Sequence, residues 1–531
     1  MNIIPKPFSV KNLNGSIVFN GFSVKECMFD GLEQVVAERL NKSFNPVSGT
    51  PLSFIRQENL AEEEYILNVT HEGVTVAASS YAGALYGFQS LRLLAETDLD
   101  TPKNELHLIS VMDRPEFAWR GLQIDVARHF FKKEFVMKIM EAMSLNKLNV
   151  LHMHLTDDQG WRVQIDKYPL LTQIGSKRSQ SHINGWRSTD SDHTPHEGFY
   201  TKEELKELVE LGRKLAITIV PEIDMPAHFA AAFAAYPELG CRELRTEVPW
   251  YFGNSVPKKQ RIKDWNRSAC IGKKTTMDFI YDVIDEMAEI FPAPYFHIGG
   301  DEAPKEEWKN CPACKALMKK EGLADVEQLQ GYFTNLVADY LKTKNKRLIG
   351  WNEVLKGGNL DKDVVVQYWT ARNDPRVVRH VKGGGQVVLS KHSAFYFDMC
   401  YGMYPLKNTY SYNPYSEGLT KEDKQNILGV EGEMWTEWIA TESKFELHLF
   451  PRMQALAEAG WTETRKDFAE FMQRLQEYKA VLRALDINYA EDAVSQPSSL
   501  LKRINTRRKW FAGKQEEEMT LNDNIKKHTF K

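Results

Sequence analysis

The segment Phe291-Pro-Ala-Pro-Tyr-Phe-His-Ile-Gly-Gly-Asp-Glu302 is a short apolar run that ends in two glycines and two acids. Its apolar part predicts a buried strand, and the glycines predict a bend where another group approaches the backbone closely. The paired acids, Asp301 and Glu302, can divide acid and base chemistry if their surroundings separate their pKa values. They can equally cap the next helix, whose first turn would hold Pro304. The pattern around the segment favours the chemical interpretation.

The same arrangement recurs eight times, because short apolar runs are followed by polar residues and, in most cases, by an amphipathic helix. Eight β-then-α units predict a closed (β/α)8 TIM barrel, an α/β fold. An open doubly wound sheet is the alternative, but its usual glycine-rich turn follows an early strand, whereas Gly383–Gly385 precedes one. The predicted strands are Arg120–Asp125, Leu148–His154, Ala216–Val220, Tyr295–Ile298, Arg347–Gly350, Val364–Tyr368, Gln386–Leu389 and Ile427–Val430, and the predicted helices include Phe135–Asn146, Thr201–Leu215, Thr275–Ile290, Val326–Thr343 and Phe445–Gly460.

The chain has 531 residues, which is too long for one typical domain, and its pattern divides it into three parts. Residues 1–113 predict a small α+β domain, 114–465 the barrel, and 466–531 a helical and then charged tail whose end, Lys514–Lys531, reads as solvated or disordered. In the first part we expect strands at Gly15–Asn20, Tyr65–Val69 and Gly73–Ala77, and helices at Gly31–Asn41 and Tyr81–Leu94.

Composition argues against a nucleic-acid partner. The formal net charge of −4 leaves no basic surplus to neutralise phosphates, so we expect no nucleic-acid partner. The first thirty residues hold no secretory-type apolar stretch, and no apolar run reaches transmembrane length. We therefore expect no membrane span, and a cytoplasmic protein unless an export segment has been removed, in which case it is periplasmic or secreted. The oligomeric state is open.

Cysteines and histidines suggest two metal sites, neither of which the sequence favours. Cys311-Pro-Ala-Cys314 has no second CxxC partner, so a local disulfide or two free thiols is preferred to zinc or a redox motif. His152 and His154 lie on one side of a strand and precede Asp157 and Asp158, which together could ligate a metal. Ring stacking in the barrel explains the histidines equally well, and no HExxH helix supports a metal.

The residues after the predicted strands indicate the class of substrate. In such a barrel the chemistry lies at the carboxyl ends of the strands, and every end here carries acids, tryptophan, histidine or arginine. Three tryptophans offer flat apolar walls, while acids and an arginine can bind hydroxyl groups, which suits a sugar ring. A nucleotide would require phosphate-binding cations or a glycine cradle. Each tryptophan alone could be a core residue, but three at equivalent positions weaken that interpretation.

The adjacency of Asp301 and Glu302 bears on the mechanism. Retaining glycosidases normally place two carboxyls about 5 Å apart, from separate segments, across the scissile bond. Neighbouring side chains on extended backbone diverge, so these two acids cannot readily clamp one bond from opposite faces. The nucleophile can then belong to the substrate, and a 2-acetamido group is such a nucleophile.

Five segments carry a resemblance to a known family: Asp125–His129, His154–Arg162, Pro221–His228, His297–Glu302 and Gly432–Glu437. Together they resemble the signature segments of the family 20 glycoside hydrolases, the β-N-acetylhexosaminidases, in the right order along the whole barrel. The N-terminal block is similar to the α+β domain that precedes the barrel in that family. The chain departs from the family at Ala127, often a serine, and at Ala227, often a glycine.

The resemblance implies roles for individual residues. Glu302 would be the general acid and then the base for water, and Asp301 would hold the acetamido N–H and stabilise an oxazolinium intermediate, whose carbonyl oxygen Tyr396 would bind. The remaining roles would be pocket walls from Trp351, Trp369 and Trp435, hydroxyl binding by Arg128, Asp398 and Glu437, and tuning of Glu302 by Asp157 and His228. No metal or organic cofactor is implied.

The expected activity is exo-hydrolysis of terminal β-linked GlcNAc or GalNAc with retention. One alternative is an endo-chitinase, which would be expected to carry Asp-x-x-Asp-x-Asp-x-Glu at its fourth strand instead of Gly-Gly-Asp-Glu. A second alternative is a carbohydrate-binding protein with an inactive barrel, which the presence of both Asp301 and Glu302 disfavours.

Overall fold

The computed structural model describes residues 3–19, 21–40, 45–95, 105–186, 188–252, 268–463 and 467–511. The N-terminal part is a six-stranded mixed sheet with two helices on it. Along one strand Tyr65, Leu67 and Val69 are buried while their neighbours are partly exposed, so one face packs on the helices. The strands are β1 Ser9–Val18, β2 Phe22–Cys27, β3 Thr50–Arg56, β4 Tyr65–Thr70, β5 Gly73–Ala78 and β6 Glu105–Asp113, in the order β1-β6-β4-β5-β3-β2, and the helices are α1 Leu32–Leu40 and α2 Tyr81–Ala95.

The middle of the chain forms a closed barrel of eight parallel strands, as the sequence predicts. Every residue of the first two barrel strands is buried, including the polar Arg120 and His152, because both faces of each strand are covered. The barrel strands are β7 Trp119–Asp125, β8 Val150–His154, β9 Thr218–Glu222, β10 Tyr295–His297, β11 Arg347–Trp351, β12 Val365–Tyr368, β13 Val387–Leu389 and β14 Ile427–Met434, and β14 pairs with β7 to close the ring.

Helices cover the outside of the barrel after most strands. The longer ones are α3 Lys133–Leu145, α4 Lys202–Lys214, α5 Lys274–Ile290, α6 Val326–Thr343, α7 Pro375–Lys382, α8 Glu442–Leu449 and α9 Arg452–Trp461. A further nine-residue helix spans Pro312–Lys320. Shorter turns of helix occupy Leu170–Gln173, Ala230–Ala235, Pro237–Leu239, Glu306–Asn310, Asn352–Gly357, His392–Phe395, Leu406–Tyr410, Lys421–Asn426 and Asp492–Ser495. Beyond the barrel, α10 Phe468–Ala484 and α11 Leu500–Phe511 form the helical tail.

Several predicted boundaries were wrong for identifiable reasons. The third barrel strand continues to Glu222 because Pro221, which has no N–H, is flanked by backbone bonds from Leu155 to Glu222 and from Ile223 to His297. The eighth strand continues to Met434 because its acids are buried against polar partners inside the barrel. The predicted helix Phe445–Gly460 is two helices, since Pro451 cannot continue the first.

Three predicted segments fall wholly or partly outside the described residues. These are the strand Gly15–Asn20 at its last residue, the helix Gly31–Asn41 at its last residue, and the tail Lys514–Lys531 entirely. Within the described ranges, no helix is both long enough and apolar enough to cross a lipid bilayer.

The small domain is attached to the barrel at the amino-terminal ends of the strands. Arg120, the second residue of β7, donates to Glu63 at 2.7 and 2.9 Å. Lys147, just before β8, lies 2.8 Å from Asp113, and both side chains are fully buried. The indole of Trp461 also donates to Asp113, at 2.8 Å. These contacts leave the opposite rim of the barrel free to form a site.

Candidate active site

The turn after β10 is held in a conformation that favours glycine. Gly299 and Gly300 have φ of +65° and +91°, and Glu302 has φ of +45°. A Cβ on Gly299 would lie 1.9 Å from Asp224 Oδ1, and the same oxygen accepts a hydrogen bond from the Gly300 amide at 3.2 Å. The turn directs two neighbouring acids into different surroundings: the Asp301 side chain is 16% exposed and that of Glu302 is 64% exposed.

Asp301 is a partly buried acid, and one of its carboxylate oxygens is fully buried. Its Oδ1 has no hydrogen-bond partner among the described residues. Burial, together with the charges of Glu302 and Glu353, raises the pKa of Asp301 to about 7, although the nearby His228 opposes this rise. An unpartnered buried carboxylate oxygen is costly unless a ligand supplies a donor, so Asp301 is suited to accept an N–H or O–H.

A chain of charged groups leads from β7 to the two acids. Arg128 lies 2.5 Å from Asp157 Oδ2, and Asp157 Oδ1 lies 3.3 Å from His228 Nδ1. The other ring nitrogen of His228 lies 3.8 Å from Asp301 Oδ2 and 3.8 Å from Glu302 Oε2. Burial disfavours the charge on His228, but Asp157 and Asp224 hold its pKa well above the usual value. His228 therefore places a positive charge between the paired acids.

The predicted aromatic walls form one cluster at the carboxyl ends of the strands. Trp351, Tyr396 and Trp435 are buried together, with Trp369 packed against them. The Trp369 and Tyr396 rings stack with centroids 5.8 Å apart, and those of Trp351 and Trp435 are also 5.8 Å apart. Trp351 is only 1% exposed and donates to Glu222 at 3.1 Å, so it lies deeper than the resemblance implies for a wall.

The three predicted hydroxyl-binding residues also lie at this rim. Arg128 packs over the Trp435 ring at 5.0 Å. Burial, followed by the charge of Glu437, holds the pKa of Asp398 well above its usual value, and Asp398 Oδ1 has no hydrogen-bond partner among the described residues. Burial likewise raises the pKa of Glu437, although Arg128 opposes the rise. Glu437 thus interacts with both Arg128 and Asp398, and the charges of Asp398 and Asp301 both act on Tyr396.

Beneath the rim, three histidines contact Glu222. His154 lies 2.5 Å from Glu222, His297 lies 3.0 Å and His152 lies 3.1 Å from it. Burial opposes the charge on His152, but Glu222 and Glu431 raise the pKa of His152 to about 10. The sequence suggested His152 and His154 as metal ligands. Each of their ring nitrogens faces a carboxylate, and these groups together form a packed ionic network.

Three acids of the site received no role from the sequence: Glu222, Asp224 and Glu353. Glu222 anchors the histidine network, Asp224 supports the glycine turn, and Glu353 accepts from the Trp369 indole at 2.9 Å. All three stand at or just beyond the end of a barrel strand. The strand-end rule that selected Asp301 would also have selected them.

Comparison with known proteins agrees with this arrangement. The family model "Glycosyl hydrolase family 20, catalytic domain" matches residues 117–464, and the model for domain 2 of that family matches residues 1–114. A beta-hexosaminidase of Porphyromonas gingivalis is 37% identical over 457 residues, which cover 82% of this chain and 56% of that protein. The chain therefore spans little more than half the length of that relative.

Two solved structures superpose on most of this chain. The exo beta-N-acetylglucosaminidase of Vibrio harveyi, in complex with N-acetylglucosamine, superposes with a TM-score of 0.80 at 30% identity, over 92% of this chain and 78% of that one. The beta-N-acetylhexosaminidase of Bacteroides fragilis gives a TM-score of 0.77 at 29% identity, over 92% and 96% of the two chains. With the closed barrel, the acid pair and the family models in agreement, this chain belongs to glycosyl hydrolase family 20.

Proposed function

We propose that the protein is an exo-acting β-N-acetylhexosaminidase that hydrolyses terminal β-linked GlcNAc or GalNAc with retention of configuration, through an oxazolinium intermediate. The observation that carries the proposal is the contrast between two neighbours. Asp301 is partly buried and has a buried oxygen without a hydrogen-bond partner among the described residues, whereas the Glu302 side chain is mostly exposed. One acid is thus suited to a group inside the pocket and the other to the leaving group at its mouth.

In the first step the substrate supplies the nucleophile. The acetamido carbonyl oxygen attacks the anomeric carbon while Glu302 donates its proton to the glycosidic oxygen, and the alcohol departs. Asp301 accepts the acetamido N–H and balances the positive charge that develops on the oxazolinium ring. Tyr396 donates to the acetamido oxygen and helps to align it for attack.

In the second step Glu302, now a carboxylate, removes a proton from water, which attacks the anomeric carbon and opens the oxazolinium ring. Two inversions at the same carbon give net retention. His228 Nε2 lies 3.8 Å from both Asp301 and Glu302, and Asp157 keeps that imidazole charged and oriented.

The preference for a terminal sugar follows from the rest of the rim. Arg128, Asp398 and Glu437 lie together at one side of the aromatic cluster and would bind the hydroxyl groups of a non-reducing sugar. Trp369 and Trp435 would cover its apolar faces. The solved relative from Vibrio harveyi, described as an exo-enzyme with bound N-acetylglucosamine, supports this assignment.

The decisive experiment compares two aryl β-glycosides that differ only at carbon 2. The 4-nitrophenyl glycoside of N-acetylglucosamine should release nitrophenol with a kcat/KM at least about 10³-fold above that of the matching glucoside, because only the former carries the nucleophile. Equal rates, or a glycosyl ester trapped on a side chain, would refute the mechanism. No turnover of either compound, with sugar binding intact, would favour the carbohydrate-binding alternative.

A further inference from the structure

Four cysteines from three separate segments converge behind the acid-bearing turn. All six cysteines of the chain are described and are free thiols, so Cys311 and Cys314 form no local disulfide. The fold brings Cys241 and Cys270 to that pair, and the four sulfur atoms all lie within 4.8 Å of one another. Cys270, Cys311 and Cys314 are buried and Cys241 is half-buried.

The sulfur spacing matches the edges of a tetrahedron. Cys270 lies 3.6 Å from Cys311 and 3.8 Å from Cys314, and Cys241 lies 3.9 Å from Cys314. A disulfide would need about 2.05 Å between sulfur atoms. Four thiolates bound at about 2.3 Å to one tetrahedral ion are about 3.8 Å apart. The separations thus fit ligands around a common centre better than they fit bonded pairs.

We propose that these four cysteines bind one structural Zn²⁺ ion. A complete set of four thiolates leaves no open position for a substrate or water, so the ion is a clamp and takes no part in the chemistry. Soft sulfur ligands in a tetrahedron select zinc over hard cations such as Mg²⁺ or Ca²⁺. The sequence missed the site because Cys241 and Cys270 are far from the CxxC pair and from each other in the chain.

The backbone around the cluster is built for close approach. A Cβ on Gly272 would lie 2.4 Å from the Cys314 backbone nitrogen, so only glycine allows this loop to meet the CxxC turn. The Lys273 ammonium donates to the carbonyls of Glu238 and Gly240, both at 2.9 Å, and fixes the loop that presents Cys241. The same ammonium pairs with Glu243 at 2.6 Å, which ties the loop further to this point.

The cluster has an access path and a mechanical connection to the active site. A surface pocket lined in part by Cys241 and Cys311 reaches it. On the inner side, the Ala269 amide donates to Pro226 at 2.7 Å, and the Ser268 hydroxyl donates to Pro304 at 2.7 Å. Pro226 and Pro304 flank the segments that carry His228 and Glu302. The ion would therefore brace both segments from behind.

The test begins with the full wild-type chain purified without strong chelators. Elemental analysis should find about one zinc per chain, and a mercurial thiol reagent should release it to a chromophoric chelator. Replacement by Co²⁺ should give the visible absorption of a tetrahedral cobalt thiolate. Alkylation of the denatured, unreduced protein should modify all six cysteines.

Variants locate the ion. Cys241→Ser and Cys314→Ser should each lower zinc occupancy at least about tenfold, whereas Cys27→Ser, a half-buried thiol in the small domain, should leave it unchanged. Chelator treatment should lower the Tm of the wild type and not that of a folded Cys314→Ser protein. If a variant does not fold, the wild-type measurements decide.

Three results would overturn the proposal. They are a wild-type protein with less than about a tenth of an equivalent of zinc after incubation with zinc salt, disulfides within the cluster in the active enzyme, and an equivalent of iron in place of zinc.

Discussion

Asp157 Oδ1 lies 3.3 Å from His228 Nδ1, on the side of the imidazole away from Glu302. Burial opposes the charge on Asp157, but Arg128 and His228 hold its pKa well below the usual range, so it is an anion at all working pH values. His228 is thereby charged and oriented by a group that the substrate need not touch.

The first prediction concerns that relationship. Asp157→Asn should lower kcat about 10- to 100-fold on glycosides with poor leaving groups, because His228 loses the anion that orients it beside the acid. The loss should be smaller on nitrophenyl glycosides, which need less protonation. Asp339→Asn, an exposed surface change, is the control and should match the wild type. An equal loss on both substrates would contradict a role through Glu302.

The second prediction concerns Glu302 itself. Glu302→Gln should reduce kcat about 10²- to 10⁴-fold on disaccharide substrates, since the amide cannot donate the proton that the leaving sugar needs. With nitrophenol as the leaving group, formation of the intermediate should be much less affected, because this phenol needs little protonation. Hydrolysis of the intermediate still needs Glu302 as a base, so pre-steady-state kinetics should show a burst of nitrophenol. Wild-type turnover of disaccharides by the variant would remove Glu302 from its assigned role.

The third prediction is the pH dependence of kcat/KM. The active form needs an ionised Asp301, which exists above its pKa, and burial with the nearby Glu302 and Glu353 raises that pKa to about 7 in the free enzyme. The rate should therefore fall as the pH drops through about 7. The positive charge of His228 favours ionised Asp301 and so opposes the rise of its pKa. Asp301→Asn should retain a low activity, and the acidic limb of its pH profile, the fall in rate below about pH 7, should be missing. A limb that persists unchanged in that variant belongs to another group.

The fourth prediction uses two glycines that have nearly the same φ. Gly299 has φ +65°, and a Cβ added there would lie 1.9 Å from Asp224, whereas Gly322 has φ +66° and an added Cβ would have nothing within 4 Å. Gly322→Ala should cost about 1–2 kcal/mol of stability from the left-handed conformation alone. Gly299→Ala should cost at least about 3 kcal/mol, since it adds a clash, and should abolish activity by displacing Asp301. Denaturant unfolding and activity assays compare the pair, and equal costs would be inconsistent with the clash.

The fifth prediction concerns stability at alkaline pH. Glu222 and Glu431 overcome the cost of burial and raise the pKa of His152 to about 10, above the ordinary 6.5. Its contribution is thus fully present below about pH 6.5 and is lost as the pH rises through about 10. The free energy of unfolding should fall by up to about 1.4 kcal/mol per pH unit in that window.

His152→Asn should flatten this decline, while His71→Asn, an exposed change in the small domain, should keep it. If His152→Asn does not fold, NMR of the wild-type ring should show no deprotonation of His152 below about pH 9. A ring that titrates near 6.5 would contradict the prediction.

The sequence predicted the barrel because its strands are buried on both faces, and such strands appear as apolar runs whose spacing survives without any knowledge of contacts. It also predicted that the acids and tryptophans lie at the strand ends, because the active residues of such barrels follow the strands. The inner acids Glu222 and Glu431 were placed outside the strands because a charged residue normally ends an apolar run. Their burial is made tolerable by the surrounding histidines and by donors from Trp119, Trp351 and Gln367. The meeting of Cys241 and Cys270 with Cys314 depends on how two long loops fold back, which no local pattern records.

The buried pair of Lys147 and Asp113 bears on how this enzyme can be shortened or recombined. Each partner comes from a different domain, and each would lose its counter-charge if the chain were cut between them. An uncompensated buried charge costs several kcal/mol, and the freed Arg120 would add to that cost. We therefore expect a barrel produced without the small domain to be less stable than the two together, so a shortened or fused chain should keep both.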